Sequence, residues 1–155
     1  MQPADLGIFD RHQTLQLVAD IRGKAHASED WVLELRGNLL NEHAIPEAPY
    51  FLLALPDAFY LWTPATSRDS QAPPDYRIDA RQELTPYIQG WRDSLEGLNP
   101  YILQILVRSW LQDLTFRQKN GSSEPWLYDS GLFEAIQEGR VEVDVFVSGS
   151  AAILR

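Results

Sequence analysis

The chain has 155 residues and a formal net charge of −9, with 45% apolar residues, five tryptophans and no cysteine. Its length and apolar fraction predict a single folded domain over residues 1–155 and argue against a disordered chain. The lack of cysteine excludes disulfides and thiolate metal sites, and the acidic balance disfavours non-specific binding to nucleic acid.

A β-hairpin is predicted at the start of the chain. Two extended runs, "ADLGIFD" and "TLQLVADIRGK", flank the polar turn "DRHQ". Side chains of a strand alternate between two faces, so the second run predicts one apolar and one wet face. The apolar face contains Leu15, Leu17, Ala19 and Ile21. The wet face contains Thr14, Gln16, Val18, Asp20, Arg22 and Lys24.

A helix over residues 28–43 is predicted next, with Ser28 as its N-cap and acidic residues in its first turn. Apolar residues recur every four positions along it, although a strand through "WVLELR" is the competing assignment. Two strands follow at residues 50–55 and 58–63, joined by a turn at Pro56 and Asp57.

The second half of the chain is predicted to be mostly helical. A loop over residues 64–75 precedes a short helix over residues 81–97. Asn99 and Pro100 open the strongest predicted helix, which runs to residue 118. Its expected apolar face consists of Ile102, Ile105, Leu106, Trp110 and Leu114. A short helix capped by Asp129 or Ser130 and a strand over residues 140–147 complete the chain. The valines of that strand are expected on one face.

No secretory signal is visible at the N-terminus. The most apolar window, residues 50–64, is interrupted by Pro56 and Asp57 and is too short to span a membrane. The three histidines show no metal-ligand spacing. These features predict a soluble, cytoplasmic protein that does not engage a membrane.

The order hairpin, helix and further strands predicts an α/β (α+β) fold with a mixed, mainly antiparallel sheet flanked by helices. Over roughly residues 3–64, the stretches "PADLGIFD", "LVADIRGK" and "SEDWVLELRGNLL…PYFLLALPDAFYLW" resemble the PD-(D/E)XK nuclease superfamily, notably its bacterial and cyanobacterial restriction-endonuclease members. Residues 65–155 carry no such signature. The resemblance implies a restriction-endonuclease-like fold.

Four residues carry the site that this resemblance implies. Asp5 takes the position of the first metal-binding acid, Asp20 that of the second, and Arg22 that of the lysine in (D/E)-x-K. Such sites hold magnesium or manganese, which activates water for phosphodiester hydrolysis. Lys24, expected on the same strand face as Arg22, is a further candidate for a charge-stabilising role.

The motif departs from the family pattern. Arg22 replaces lysine, Asp20 is shorter than the usual glutamate, and the helix that commonly precedes the first acid is missing, which suggests a shortened member or a dimer that covers the exposed face. Two hypotheses follow. The favoured one is a degenerate, non-catalytic interaction module that binds a protein partner or a second copy. The alternative is a magnesium-dependent nuclease acting on DNA.

Simpler interpretations compete at each residue. Asp5 and Asp20 could be strand-surface carboxylates, and Arg22 and Lys24 could protect an exposed strand edge against aggregation. If they fold to one side, a set of basic residues would form a small phosphate-binding rim. That set contains Arg11, His12, Lys24, His26 and Arg36.

Overall fold

A computed structural model describes residues 1–88, 99–117 and 124–146. The strands are β1 (Ala4–Phe9), β2 (Leu15–Ile21), β3 (Tyr50–Ala54), β4 (Ala58–Trp62), β5 (Tyr76–Asp79) and β6 (Arg140–Val145). The helices are α1 (Glu29–Asn41), α2 (Ala80–Leu84), α3 (Pro100–Leu114), α4 (Pro125–Asp129) and α5 (Leu132–Ile136), and a 3₁₀ turn covers Thr85–Tyr87.

The six strands form one sheet in the order β5-β4-β3-β2-β1-β6. Only the β2–β3 pair is parallel, because α1 carries the chain back across the sheet between these strands, and the other pairs are antiparallel. The predicted mixed, mainly antiparallel sheet flanked by helices is therefore confirmed. The strand β6 pairs with β1, so the C-terminal part of the described chain extends the sheet that the hairpin begins.

Apolar side chains cover both faces of the sheet. On one face, strand residues such as Leu17 and Leu61 pack with α2, α3, α4 and α5. On the other, Val18 and Phe51 pack beneath α1. The prediction that one face of β2 is exposed to solvent is therefore wrong, because α1 buries Val18 and Asp20. Leu15 also lies on the α1 side, since the β1–β2 register shifts between Ile8 and Phe9.

Helix α1 confirms the predicted cap and helical assignment. Ser28 is the N-cap, and its hydroxyl accepts a hydrogen bond from the Trp31 amide at 3.1 Å. Buried Val32 and Leu39 form the stripe that packs on the sheet. The loop over residues 64–75, which follows β4, packs closely against α1. A Cβ on Gly37 would lie 2.9 Å from the Ser70 carbonyl oxygen.

Helix α3 begins as predicted, with the Asn99 side chain accepting a hydrogen bond from the Ile102 amide at 2.9 Å. Its apolar face differs from the prediction, because Ile105 is 51% exposed whereas Leu103, Val107 and Leu111 lie in the core with Leu106, Trp110 and Leu114. The helix also ends at Leu114, before the predicted residue 118. The helix predicted over residues 81–97 begins one residue earlier, at Ala80, and its described part divides into α2 and the 3₁₀ turn. Its remainder from residue 89 lies outside the described residues.

The second half of the chain differs from three expectations. Strand β5 and helix α4 were not predicted. Gly131, with a φ of 81°, stands at the N-cap of α5 in place of Asp129 or Ser130, although the Ser130 hydroxyl accepts a hydrogen bond from Leu132. In β6, Asp144 has a φ of 51°, which breaks the alternation, so Val141 and Val145 join different clusters. Val147 lies outside the described residues.

The helices within the described ranges are too short or too polar to cross a membrane.

Candidate functional site

Asp5 on β1 and Asp20 on β2 are cross-strand neighbours. The antiparallel register, with Leu6 opposite Ala19 and Gly7 opposite Val18, continues to these two acids at the end of the hairpin ladder. Residues in such positions have Cβ atoms about 4.5–5.5 Å apart and share a face of the sheet. The fold therefore brings together the two carboxylates that the resemblance assigned to a metal site.

Asp20 is the buried member of this pair, with 6% of its surface exposed. Its Oδ2 atom accepts a hydrogen bond from Nε of Arg22 at 2.6 Å, which closes an ion pair. Burial raises the pKa of Asp20, Arg22 opposes that rise, and the negative charge of Asp5 adds to it. Arg22 is thus the counter-ion of a carboxylate that is otherwise costly to bury.

Asp5 is half-buried and has a structural hydrogen bond. Its Oδ2 atom accepts a hydrogen bond from the Ile21 backbone amide at 2.7 Å. This contact joins β1 to the last residue of β2, so one oxygen of Asp5 is committed to holding the hairpin together.

Lys24 lies beyond the end of β2, which stops at Ile21. The expectation that Arg22 and Lys24 extend a common strand face is therefore wrong. The Lys24 ammonium lies 5.5 Å from the ring centroid of Trp31, within the range of a cation–π contact. It packs on the first turn of α1.

Arg36, which the sequence placed only in the candidate phosphate-binding rim, is instead a buried charge beside this region. It is 4% exposed, its guanidinium lies 3.9 Å from the Phe51 ring centroid, and Nη2 donates to the Ser67 carbonyl at 2.6 Å. Burial lowers the pKa of Arg36 to about 10, and the charges of Glu47 and Asp20 oppose that change. Its spacing from Val32 and Leu39 on the buried stripe of α1 is the signal that could have identified it.

The expected basic rim does not form as a surface. Arg36 is buried, and Arg11 pairs with Glu138 at 3.3 Å beside the hairpin turn. The His26 backbone amide is held by Asp57 at 3.1 Å. The side chains proposed for phosphate binding are therefore dispersed among separate local contacts.

A shallow groove of about 270 Å³ lies beside Arg22. Its lining residues are Arg22, Trp31, Glu34, Leu35 and Asn38. Apart from Arg22, all of them belong to α1. Arg22 is the member of the Arg22–Asp20 ion pair that borders the groove, and 44% of its side chain is exposed.

The residues at this position fit a divalent metal ion poorly. Magnesium requires a near-octahedral set of oxygen ligands. Here each acid has one oxygen already engaged, and the cation of Arg22 lies against Asp20. Among the described residues, no group of three or more histidine or acidic side chains is arranged to hold a metal.

A second polar cluster lies on the opposite side of the sheet, where the sequence predicted only helix packing. Glu124 is buried and pairs with Arg117 at 2.6 Å, and Glu83 accepts a hydrogen bond from the Trp110 indole at 3.0 Å. Burial and the neighbouring Glu124 raise the pKa of Glu83. Arg117 supplies the positive charge that compensates Glu124.

No family model, no curated protein and no solved structure matches this chain.

Proposed function

We propose that this chain is a cytoplasmic, non-catalytic interaction module built on a restriction-endonuclease-like scaffold. The observation that supports this most directly is the ion pair between Arg22 and Asp20, with Nε and Oδ2 2.6 Å apart. In the resemblance, Asp20 is a metal ligand and Arg22 replaces the catalytic lysine. A guanidinium that contacts the second acid takes the role that a bound cation would otherwise have.

The chemistry of arginine strengthens this interpretation. Arginine stays protonated at any ordinary pH, so Arg22 cannot accept a proton from water as a base. Removing it from Asp20 would leave a largely buried carboxylate without its counter-ion. The same contact therefore stabilises the fold and opposes metal binding at Asp20.

The distribution of charge also disfavours a nucleic-acid substrate. The net charge of −9 repels the phosphate backbone unless cations gather on one face. Arg36 is buried and Arg11 lies beside Glu138, so these two candidate phosphate ligands do not form one basic surface. By contrast, apolar side chains are exposed on α3 and β6, at Tyr101, Ile105 and Val143, as is typical of protein-binding surfaces.

A magnesium-dependent nuclease is the alternative. It is favoured by one observation, the cross-strand placement of Asp5 and Asp20 on a common face. It requires Arg22 to leave Asp20, and the groove beside Arg22 offers space for that movement. The two proposals therefore differ in whether Asp20 binds a divalent ion in the presence of Arg22.

Calorimetric titration of manganese chloride distinguishes them. We expect no saturable binding to the wild-type protein and weak binding to Arg22→Ala, because the acids then lack their counter-ion. That weak binding should disappear in the Arg22→Ala/Asp20→Asn double variant and persist in Arg22→Ala/Asp30→Asn, which removes an exposed acid of α1.

Cleavage assays on single- and double-stranded DNA, with magnesium or manganese, complete the test. The proposal predicts no cleavage by the wild-type protein above that of Asp20→Asn. Saturable manganese binding to the wild type that is lost in Asp20→Asn, together with Asp20-dependent cleavage, would establish the nuclease instead.

A further inference from the structure

Strand β6 forms one edge of the sheet. Its neighbour on the inner side is β1, and its outer side meets no other strand in the described part of the chain. Free strand edges are sites where another chain can associate, unless they are covered or charged. Here the edge lies next to α3, which packs against β6.

An apolar groove separates α3 from β6. It has a volume of about 270 Å³ and is lined by Tyr101, Gln104, Ile105, Arg108, Val143 and Asp144. Tyr101 is 74% exposed, Ile105 51% and Val143 42%. The apolar pattern of the helix predicts Ile105 in the core. Its exposure therefore results from how α3 packs in the fold.

Two opposite charges border this groove. Arg108 lies on α3 and Asp144 on β6. Within residues 1–88, 99–117 and 124–146, neither side chain has an ion pair or a hydrogen bond. The groove therefore offers one cation and one anion that are both available to a partner, on either side of exposed apolar side chains.

From these features we infer that the groove is the interface of a homodimer with twofold symmetry. In such an interface the same patch faces itself, so residue i of one copy meets residue j of the other, and the reverse contact also forms. Arg108 of each copy then pairs with Asp144 of the other, and Ile105 and Val143 of both copies bury one another. A second copy satisfies both charges.

The patch is small compared with a stable interface, which buries about 800 Å² on each partner. The dimer is therefore a weak one, with a dissociation constant on the order of micromolar. This inference rests on the interaction role proposed above and specifies its partner. It involves neither Asp20 nor Arg22, so self-association can fail while the metal-binding result stands, and the converse also holds.

Sedimentation velocity over a concentration series tests the dimer with a charge exchange. Arg108→Glu places two acids opposite each other, and Asp144→Lys places two bases opposite each other. Each variant alone should therefore raise the dissociation constant of the dimer by about tenfold or more. An equimolar mixture of the two variants restores both ion pairs and should form a heterodimer. The double variant Arg108→Glu/Asp144→Lys should self-associate again.

Matched controls change the same charges at exposed positions elsewhere, with Arg68→Glu on the loop and Glu134→Lys on α5. We expect both controls to dimerise like the wild type, and Ile105→Glu to be monomeric. Circular dichroism establishes that each variant is folded. A wild type that stays monomeric at millimolar concentration, or a dimer that the Arg108, Asp144 and Ile105 variants leave unchanged, would overturn the inference.

Discussion

Arg22 reaches back from beyond the end of β2 to place Nε 2.6 Å from Oδ2 of Asp20, the last buried acid of that strand. The two partners differ in burial: 44% of the Arg22 side chain is exposed, compared with 8% of the Asp20 side chain. The carboxylate therefore depends on the contact more than the guanidinium does. This asymmetry sets the expected results of substituting either residue.

Arg22→Ala should lower the free energy of unfolding by about 1–3 kcal/mol, because a buried carboxylate loses its charged donor. In an Asp20→Asn background the same substitution should cost about 0.5 kcal/mol or less, as for an ordinary surface change. Urea unfolding of the four proteins in this double-mutant cycle measures the coupling. Equal costs in both backgrounds would show that the ion pair does not stabilise the fold.

Arg36 should prove more important for stability than its charge suggests. Arg36→Met keeps most of the apolar contact with Phe51 but leaves the Ser67 carbonyl without its donor, so we expect a loss of about 1–3 kcal/mol. Arg68→Met is the control, because Arg68 is exposed and lies next to Ser67 in the loop over residues 64–75. It should change stability by less than about 0.5 kcal/mol. Chemical denaturation compares them, and similar small effects would contradict the buried role of Arg36.

Gly37 should resist replacement despite its helical position. Alanine is favoured over glycine by about 1 kcal/mol in a helix. A Cβ at this position, however, would lie 2.9 Å from the Ser70 backbone oxygen, and overpacking of this kind costs about 1–3 kcal/mol.

We therefore expect Gly37→Ala to be neutral or destabilising in thermal unfolding. The neighbouring Asn38→Ala, at an exposed position, should be stabilising because only helix propensity changes. A Gly37→Ala variant as stabilised as Asn38→Ala would mean that the loop yields freely.

Glu83 should make stability depend on pH. Burial raises its pKa in the folded state above the ordinary value of 4.5, so the folded protein binds this proton more tightly than the unfolded chain. The free energy of unfolding must then fall as pH rises from 4.5 through the raised pKa. Glu83→Gln, which keeps an acceptor for the Trp110 indole, should remove the part of the decline that Glu83 contributes, while the raised pKa of Asp20 contributes in both proteins.

Urea unfolding at intervals from pH 4.5 upward measures this effect, and Glu134→Gln on the exposed side of α5 serves as the control. The difference between Glu83→Gln and the wild type should grow with pH, whereas the control should follow the wild type. Because Glu83 and Glu124 interact, the transition belongs to the pair. Parallel pH profiles for Glu83→Gln and the wild type would contradict the assignment.

Much of the local structure could be predicted because it depends on short-range chemistry. The caps at Ser28 and Asn99 are hydrogen bonds to amides three residues away, and both were predicted correctly. Strand β5 and helix α4 were missed because each is only four or five residues long. The prediction that the valines of β6 share one face was wrong. A positive φ at Asp144, which no pattern of apolar residues reveals, changes the direction of the following side chains.

Apart from β5 and α4, the helices and strands could be predicted from the sequence, as could the mixed sheet and the placement of Asp5 and Asp20 in one hairpin. Three features depend on the packing of distant elements: α1 buries Asp20 and Val18, β2 ends before Arg22, and Arg36 enters the core. The difference lies in how far apart along the chain the interacting residues are. Caps and alternation depend on neighbours along the chain, whereas burial and ion pairing depend on which distant element covers a side chain. The sequence shows the same aspartate whether its carboxylate is exposed or buried. The packing of α1 makes this carboxylate a buried charge that needs Arg22.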